Sequence, residues 1–150
     1  MKDTLSKAVA TVFYVGLIPF APGTFGTLAA VIFIWLLRPS QACQSVILVV
    51  SLLAGIKVSG IAEKAFGQKD CRHIVFDEFV GYLCSIIFLP LTPAYMVAAF
   101  ILFRVLDILK PPPIRMMENI GGGAGIMLDD VVAGVIANIV LQVVRLADLL

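Results

Sequence analysis

The stretch FVGYLCSIIFLPLTPAYMVAAFILF, residues 79–103, decides how this chain folds. Its 25 residues carry no charge, and at a helical rise of ~1.5 Å per residue they could cross a hydrocarbon core of ~30 Å once. PLTP at 90–93 argues against that reading. It divides the run into pieces of 11 and 10 residues, and a proline within a helix removes a donor and clashes with the preceding turn. Charged groups flank the run, with Asp77 and Glu78 before it and Arg104, Asp107 and Lys110 after it. A single span would leave these groups on opposite sides of a membrane. A hairpin turning at 90–93 brings acids and cations to one place, and is the expected arrangement.

The rest of the chain is built the same way. The 150 residues are 61% hydrophobic and 14% charged, with a mean hydropathy of +1.05, far more apolar than an average soluble domain. Uncharged runs also cover 8–37, 39–56 and 131–144. Residues 4–17 read as a first helix, broken by the prolines and glycines of PFAPGTFG at 19–26. Thr24 is a good N-cap for a second helix through Leu37. RPSQ at 38–41 turns the chain, 42–66 reads as a third helix, and 67–73 as a polar, solvated loop. A last helix is expected from about Leu128 to Leu150, with the aspartate pair at its entrance. The expected fold is all-α, a single multihelical domain over residues 1–150. Short apolar helices and helical hairpins would make it membrane-embedded or membrane-associated. A water-soluble bundle with a very apolar core is the alternative.

Several function classes are disfavoured by composition. Net charge is +1 and no basic tract exists, so nucleic acid is not an expected partner. Cys43, Cys71 and Cys84 form neither a C-x-x-C pair nor an even framework, which reads as reduced structural thiols. Lys2 and Lys7 before an apolar stretch resemble a signal peptide, but Pro22 directly after Ala21 obstructs cleavage there. The N-terminus is expected to be retained.

Five acids sit at the mouths of apolar segments: Asp77 and Glu78 in IVFDEFVG, Asp107 in FRVLDILKPPP, and Asp129 and Asp130 in GIMLDDVVAG. A carboxylate in such a place calls for an ion, a partner charge or a helix N-terminus. Helix capping accounts for one acid of each adjacent pair, not both. Gly81 follows Asp77 by four residues and Gly134 follows Asp130 by four, so each acid has a missing side chain one turn onward. The space serves either a ligand or the close approach of a neighbouring helix. Arg104 and Asp107, three residues apart, share a helix face, and Lys110 lies near it before three prolines. GGGAG at 121–125 lets backbone amides approach an anion, although a flexible connector looks the same. His73, the only histidine, has no second soft ligand at metal spacing, and Met116, Met117 and Met127 read as packing residues.

Carboxylates for a hard cation, and Lys and Arg for an oxyanion, imply a phosphorylated substrate with an apolar tail. A membrane phosphomonoesterase is the simplest enzyme needing all of these. In it a carboxylate-bound Mg²⁺ would polarise the phosphoryl oxygens while Arg104 and Lys110 balance charge on the equatorial oxygens.

The same residues resemble the phosphatidylglycerophosphatase A family, through PFAPGTFGTLAA (19–30), IVFDEFVG (74–81), FRVLDILKPPPI (103–114) and GIMLDDVVAG (125–134). The four blocks occur in family order and span nearly the whole chain. The resemblance implies an all-helical fold and Mg²⁺-dependent removal of the terminal phosphate from phosphatidylglycerophosphate, giving phosphatidylglycerol in bacterial phospholipid synthesis. The family's polar residues fall on Thr24, Asp77, Glu78, Arg104, Asp107, Lys110, Asp129 and Asp130. LDILKPPP departs from the family's FDIxKPWP and VFDE from its VIDE, changes that touch substrate packing and remove no ionisable group.

The expected site thus has Asp77, Asp129, Asp130, Arg104 and Lys110 as catalytic groups. Thr24, Arg104, Lys110, Gly122 and Gly123 would hold phosphate, and Asp77, Glu78, Asp107, Asp129 and Asp130 the metal. Direct attack by water and an aspartyl-phosphate intermediate both use these residue types, and Thr24 either caps its helix or faces the phosphate. Basic residues before the first apolar block, at 57–72 and at 104–115 are expected to place the acids on the cytoplasmic side, and the resemblance implies that the membrane is the bacterial inner membrane. The rival function is a small cation or metal transporter using the paired acids. A non-catalytic helical assembly factor, with structural acids, is a third reading.

Overall fold

A computed structural model describes residues 2–69 and 71–148 and bears out the hairpin. Helix α4 (Phe76–Ile86) leads through residues 87–92 into α5 (Pro93–Leu109). The Thr92 hydroxyl accepts a hydrogen bond from the Tyr95 amide and Pro93 occupies the first helical turn, so the second proline of PLTP starts a helix instead of breaking one. Around them lie α1 (Lys2–Ala10), α2 (Pro22–Leu37), α3 (Gln41–Phe66), the short α6 (Pro112–Arg115) and α7 (Gly122–Leu146). Among the described residues there are two short 3-10 turns and no strand.

α7 runs through the middle, packed on α3, α4 and α5. Ile34, Tyr82, Ile86, Phe103 and Leu141 fill the core between α2, α4, α5 and α7, each fully buried side chain contributing ~1.5–3 kcal/mol. The turn end of the hairpin is closed by polar contacts. Asn138 Nδ2 donates to the carbonyls of Ser85 and Ile87 at 3.0 and 2.8 Å, and Arg145 Nη1 donates to the Phe88 carbonyl at 2.9 Å. These bonds occupy carbonyls that the end of α4 leaves without helical partners.

Two close helix crossings depend on glycine. A Cβ on Gly134 would lie 2.2 Å from the Gly81 carbonyl oxygen, so the paired glycines let α4 and α7 touch backbone to backbone. Of the two uses of that space, close approach of helices is the one realised. A Cβ on Gly123 would lie 1.9 Å from the Ile56 oxygen of α3.

Three boundaries differ from expectation. The first helix stops at Ala10, because the Thr11 hydroxyl accepts the Tyr14 amide at 3.0 Å and Val12, Phe13 and Tyr14 turn left-handed. α2 starts at Pro22, not at Thr24: the proline takes the first helical position and Thr24 makes no capping bond. α7 starts at Gly122, not near Leu128, since contact with α3 holds the poor helix formers of GGGAG in helical form. The loop at 67–73 is also drier than its composition suggests, with Cys71 buried.

The outside of the bundle is apolar. Val46, Val49, Val50 and Leu53 form an exposed stripe on α3, and Val97, Ile101, Val105 and Ile108 another on α5. α3 and α7 are long and apolar enough to cross a membrane, and only 17% of the α3 window is buried inside the protein. A soluble bundle would turn such stripes inward; a lipid environment lets them face out.

Candidate active site

Four helices, three of them by their ends, converge on one cleft of about 410 Å³. Asp77 and Glu78 stand in the first turn of α4, where negative charge suits the helix dipole. Arg104 and Asp107 come from the last turns of α5, and Lys110 caps that helix in a left-handed conformation, turning the chain into the prolines. α7 contributes Asp129 and Asp130. Because α7 begins at Gly122, these aspartates lie some two turns inside it, roughly 10–12 Å from its first residue. They are therefore not at a helix entrance, and capping accounts for neither. The N-terminus of α2 closes the cleft with Thr24 and Gly23.

The five acids divide into two groups. Two are paired with cations: Arg104 Nη1 donates to Asp107 Oδ2 at 2.5 Å, and Lys110 Nζ donates to Asp129 Oδ2 at 2.7 Å. The other oxygen of Asp129 accepts the Asp130 amide at 3.0 Å. Arg104 also reaches Glu78, at 3.9 Å. The remaining three acids crowd together, with one carboxylate oxygen each of Asp77, Glu78 and Asp130 all within 4.8 Å of one another. Asp77 Oδ1, Glu78 Oε2 and Asp130 Oδ2 are shut off from solvent and have no hydrogen-bond partner.

Such crowding is unfavourable for the protein alone. Burial, reinforced by the charges of Glu78, Asp130 and Asp129, holds the Asp77 carboxyl well above the usual carboxylate range. Burial raises Glu78 as well, against the opposing pull of its hydrogen bond with Asp77 and of the Arg104 guanidinium. Three carboxylates at this spacing, each with a buried oxygen left unpartnered, fit a divalent cation such as Mg²⁺, which would supply the missing positive charge.

Every expected charged residue lies in this cleft, as does Thr24, but the glycine run does not. Gly122 lines an adjoining pocket with Glu63 and Lys69, which touches the cleft only through Asp129, and Gly123 is pressed on α3. His73 packs against Cys71 and Phe66, and Met127 is fully buried and accepts from the Ser59 hydroxyl.

Sequence reading missed Gly23 and Arg72. A Cβ on Gly23 would fall 2.2 Å from Glu78 Oε1, so any larger residue there would displace that carboxylate. Its place in APGTFG signalled a break, not a contact. Arg72 lines the cleft from the loop before α4, and no spacing in the sequence marked it.

Comparison with known proteins identifies the family. The family model for phosphatidylglycerophosphatase A matches residues 8–145. Phosphatidylglycerophosphatase A of Escherichia coli K12 is 41% identical, the match covering 86% of this chain and 77% of that protein. The Haemophilus influenzae protein of the same name is 38% identical over 91% and 86% of the two chains. A Bacteroides thetaiotaomicron protein, provisionally named a phosphatidylinositol-3-phosphatase, is 40% identical over 94% of both. No solved structure matches the chain. The chain belongs to the phosphatidylglycerophosphatase A family, and is by that membership a phosphatase.

Proposed function

We propose that the chain hydrolyses the terminal phosphomonoester of phosphatidylglycerophosphate, releasing phosphate and phosphatidylglycerol, with Mg²⁺ bound by Asp77, Glu78 and Asp130. The observation that carries the reading is the division of the acids, two balanced by Arg104 and Lys110 and three left with orphaned oxygens. The bound ion supplies Lewis-acid polarisation of a phosphoryl oxygen. Arg104 and Lys110 face the same cleft and neutralise charge on the equatorial oxygens, where positioning and charge balance carry most of phosphoryl transfer. Asp107 and Asp129 are positioning residues that hold those two cations in place. Thr24, free of any capping role, offers its hydroxyl to the phosphate.

The apolar stripes of α3 and α5 support a membrane setting in which acyl chains stay in lipid and the head group enters the cleft. Lys7, Lys57, Lys64 and Arg115 accompany the elements at the site end, which supports a cytoplasmic orientation at the bacterial inner membrane. A cation pathway needs acids through the membrane's thickness, whereas these gather in one cleft.

The Bacteroides relative's name raises a second head group, phosphatidylinositol 3-phosphate. Phosphate release by the purified chain from each lipid, in the same mixed micelles, decides between them. A kcat/KM at least tenfold higher for phosphatidylglycerophosphate is expected, and a preference for the inositol lipid would overturn the assignment.

A further inference from the structure

We infer that Arg72 binds the second phosphate of the substrate, the diester that joins head group to diacylglycerol, and so selects lipids carrying two phosphates over those carrying one. The inference rests on the proposed function, since phosphatidylglycerophosphate has a terminal monoester and an internal diester.

Three cations line the cleft. Arg104 and Lys110 are held by Asp107 and Asp129 deep in it, beside the clustered acids where the monoester reacts. Arg72 differs: it is exposed, and among the described residues it makes no ion pair or hydrogen bond. Its backbone is nonetheless fixed. The Ile74 amide donates to the Cys71 carbonyl at 2.8 Å, closing a turn with Arg72 as its second residue, and Cys71 and Ile74 at the turn's two ends are both buried. The next residue, Val75, is fully buried and its amide donates to the Ala10 carbonyl at 2.9 Å. A long cationic side chain is thus carried on a rigid turn at the rim of an anion-binding cleft.

Substrate shape places the diester at that rim. The acyl chains must remain with the apolar surface, and exposed Ile108 brings that surface to the cleft's edge. The monoester lies inside with the acids, and the short glycerol link leaves the diester between. A guanidinium paired with no carboxylate among the described residues can give its fork of donors to the diester oxygens.

The test uses the full chain in nonionic mixed micelles, as wild type, Arg72→Ala, Arg72→Lys and Lys64→Ala. Lys64 is an exposed cation outside the cleft and controls for general surface charge. Arg72→Ala is expected to raise KM for phosphatidylglycerophosphate about tenfold, as for loss of one charged hydrogen-bonding group, with kcat within twofold. Arg72→Lys should fall between, and Lys64→Ala should match wild type. Inhibition separates the two phosphates: the Ki of phosphatidylglycerol, diester only, should rise with KM, while that of phosphatidic acid, monoester only, should not move. An unchanged KM in folded Arg72→Ala, or equal weakening of both inhibitors, would overturn the inference while leaving the reaction in place. A wild-type protein that releases no phosphate from phosphatidylglycerophosphate would instead overturn the functional reading beneath it.

Discussion

One methyl group at position 134 should disable the site without touching a charged residue. A Cβ there would stand 2.2 Å from the Gly81 oxygen and 2.8 Å from the Cys84 Cβ. A relaxed carbon–oxygen contact needs about 3.3 Å, so α4 and α7 must separate by about 1 Å. The nearest blocking atom is backbone, so no rotamer change relieves it. Both helices are stiff, and the displacement passes one turn back to Asp77 on α4 and to Asp130 on α7. Overpacking costs ~1–3 kcal/mol, of which the better helix propensity of alanine returns up to ~1 kcal/mol. Misplacing reacting groups by ~1 Å costs about a hundredfold in rate. Gly134→Ala should therefore stay folded, with thermal unfolding slightly early in detergent, yet lose about a hundredfold in kcat/KM for phosphatidylglycerophosphate. Gly81→Ala should lose less, because its nearest backbone obstruction, the Asp130 oxygen, stands at 2.9 Å and the closer clash is with the Phe103 ring at 2.5 Å. A Gly134→Ala protein within threefold of wild-type kcat/KM would refute the coupling between this crossing and the site.

Two further outcomes follow from the charge pattern. Lys110→Ala strands the carboxylate of Asp129 without its ammonium partner, so it should destabilise the fold by ~1–3 kcal/mol, and adding Asp129→Asn should recover at least half of that in chemical unfolding; a double variant no more stable than the single would contradict the pairing. Asp77 has a raised carboxyl pKa in the fold, so its contribution to metal-free stability is complete below the ordinary value of 3.8 and is lost as pH rises through the raised one. Thermal unfolding in EDTA should therefore occur at lower temperature at pH 7 than at pH 5, with Asp77→Asn flattening the difference; a profile unaffected by that substitution would contradict the crowding.

The hairpin was legible because two local signals agreed, a proline pair inside an uncharged run and charges that have to meet. The acids were legible for a related reason, since carboxylates beside apolar segments are costly enough to need a purpose. What separates Asp107 and Asp129 from Asp77, Glu78 and Asp130 was not legible, because pairing with Arg104 and Lys110 depends on how four helices converge. The start of α7 was missed where glycine propensity argued for a loop and close contact with α3 outweighed it. Thr24 and Gly23 show the same limit: a good capping residue was displaced by Pro22, and a glycine read as a breaker is the point where α2 meets Glu78. Both are tertiary effects, as is the fixed turn presenting Arg72.

The central claim is that Asp77, Glu78 and Asp130 together hold the cation on which phosphomonoester hydrolysis depends. The most direct measurement is phosphate release from phosphatidylglycerophosphate by the purified chain as Mg²⁺ is titrated after EDTA treatment, beside a folded Asp130→Asn variant. The expected result is release that needs Mg²⁺ and saturates with it, and a variant that keeps its helical signal while losing at least a hundredfold in rate. Full release in EDTA, or an Asp130→Asn protein with wild-type turnover, would contradict the account.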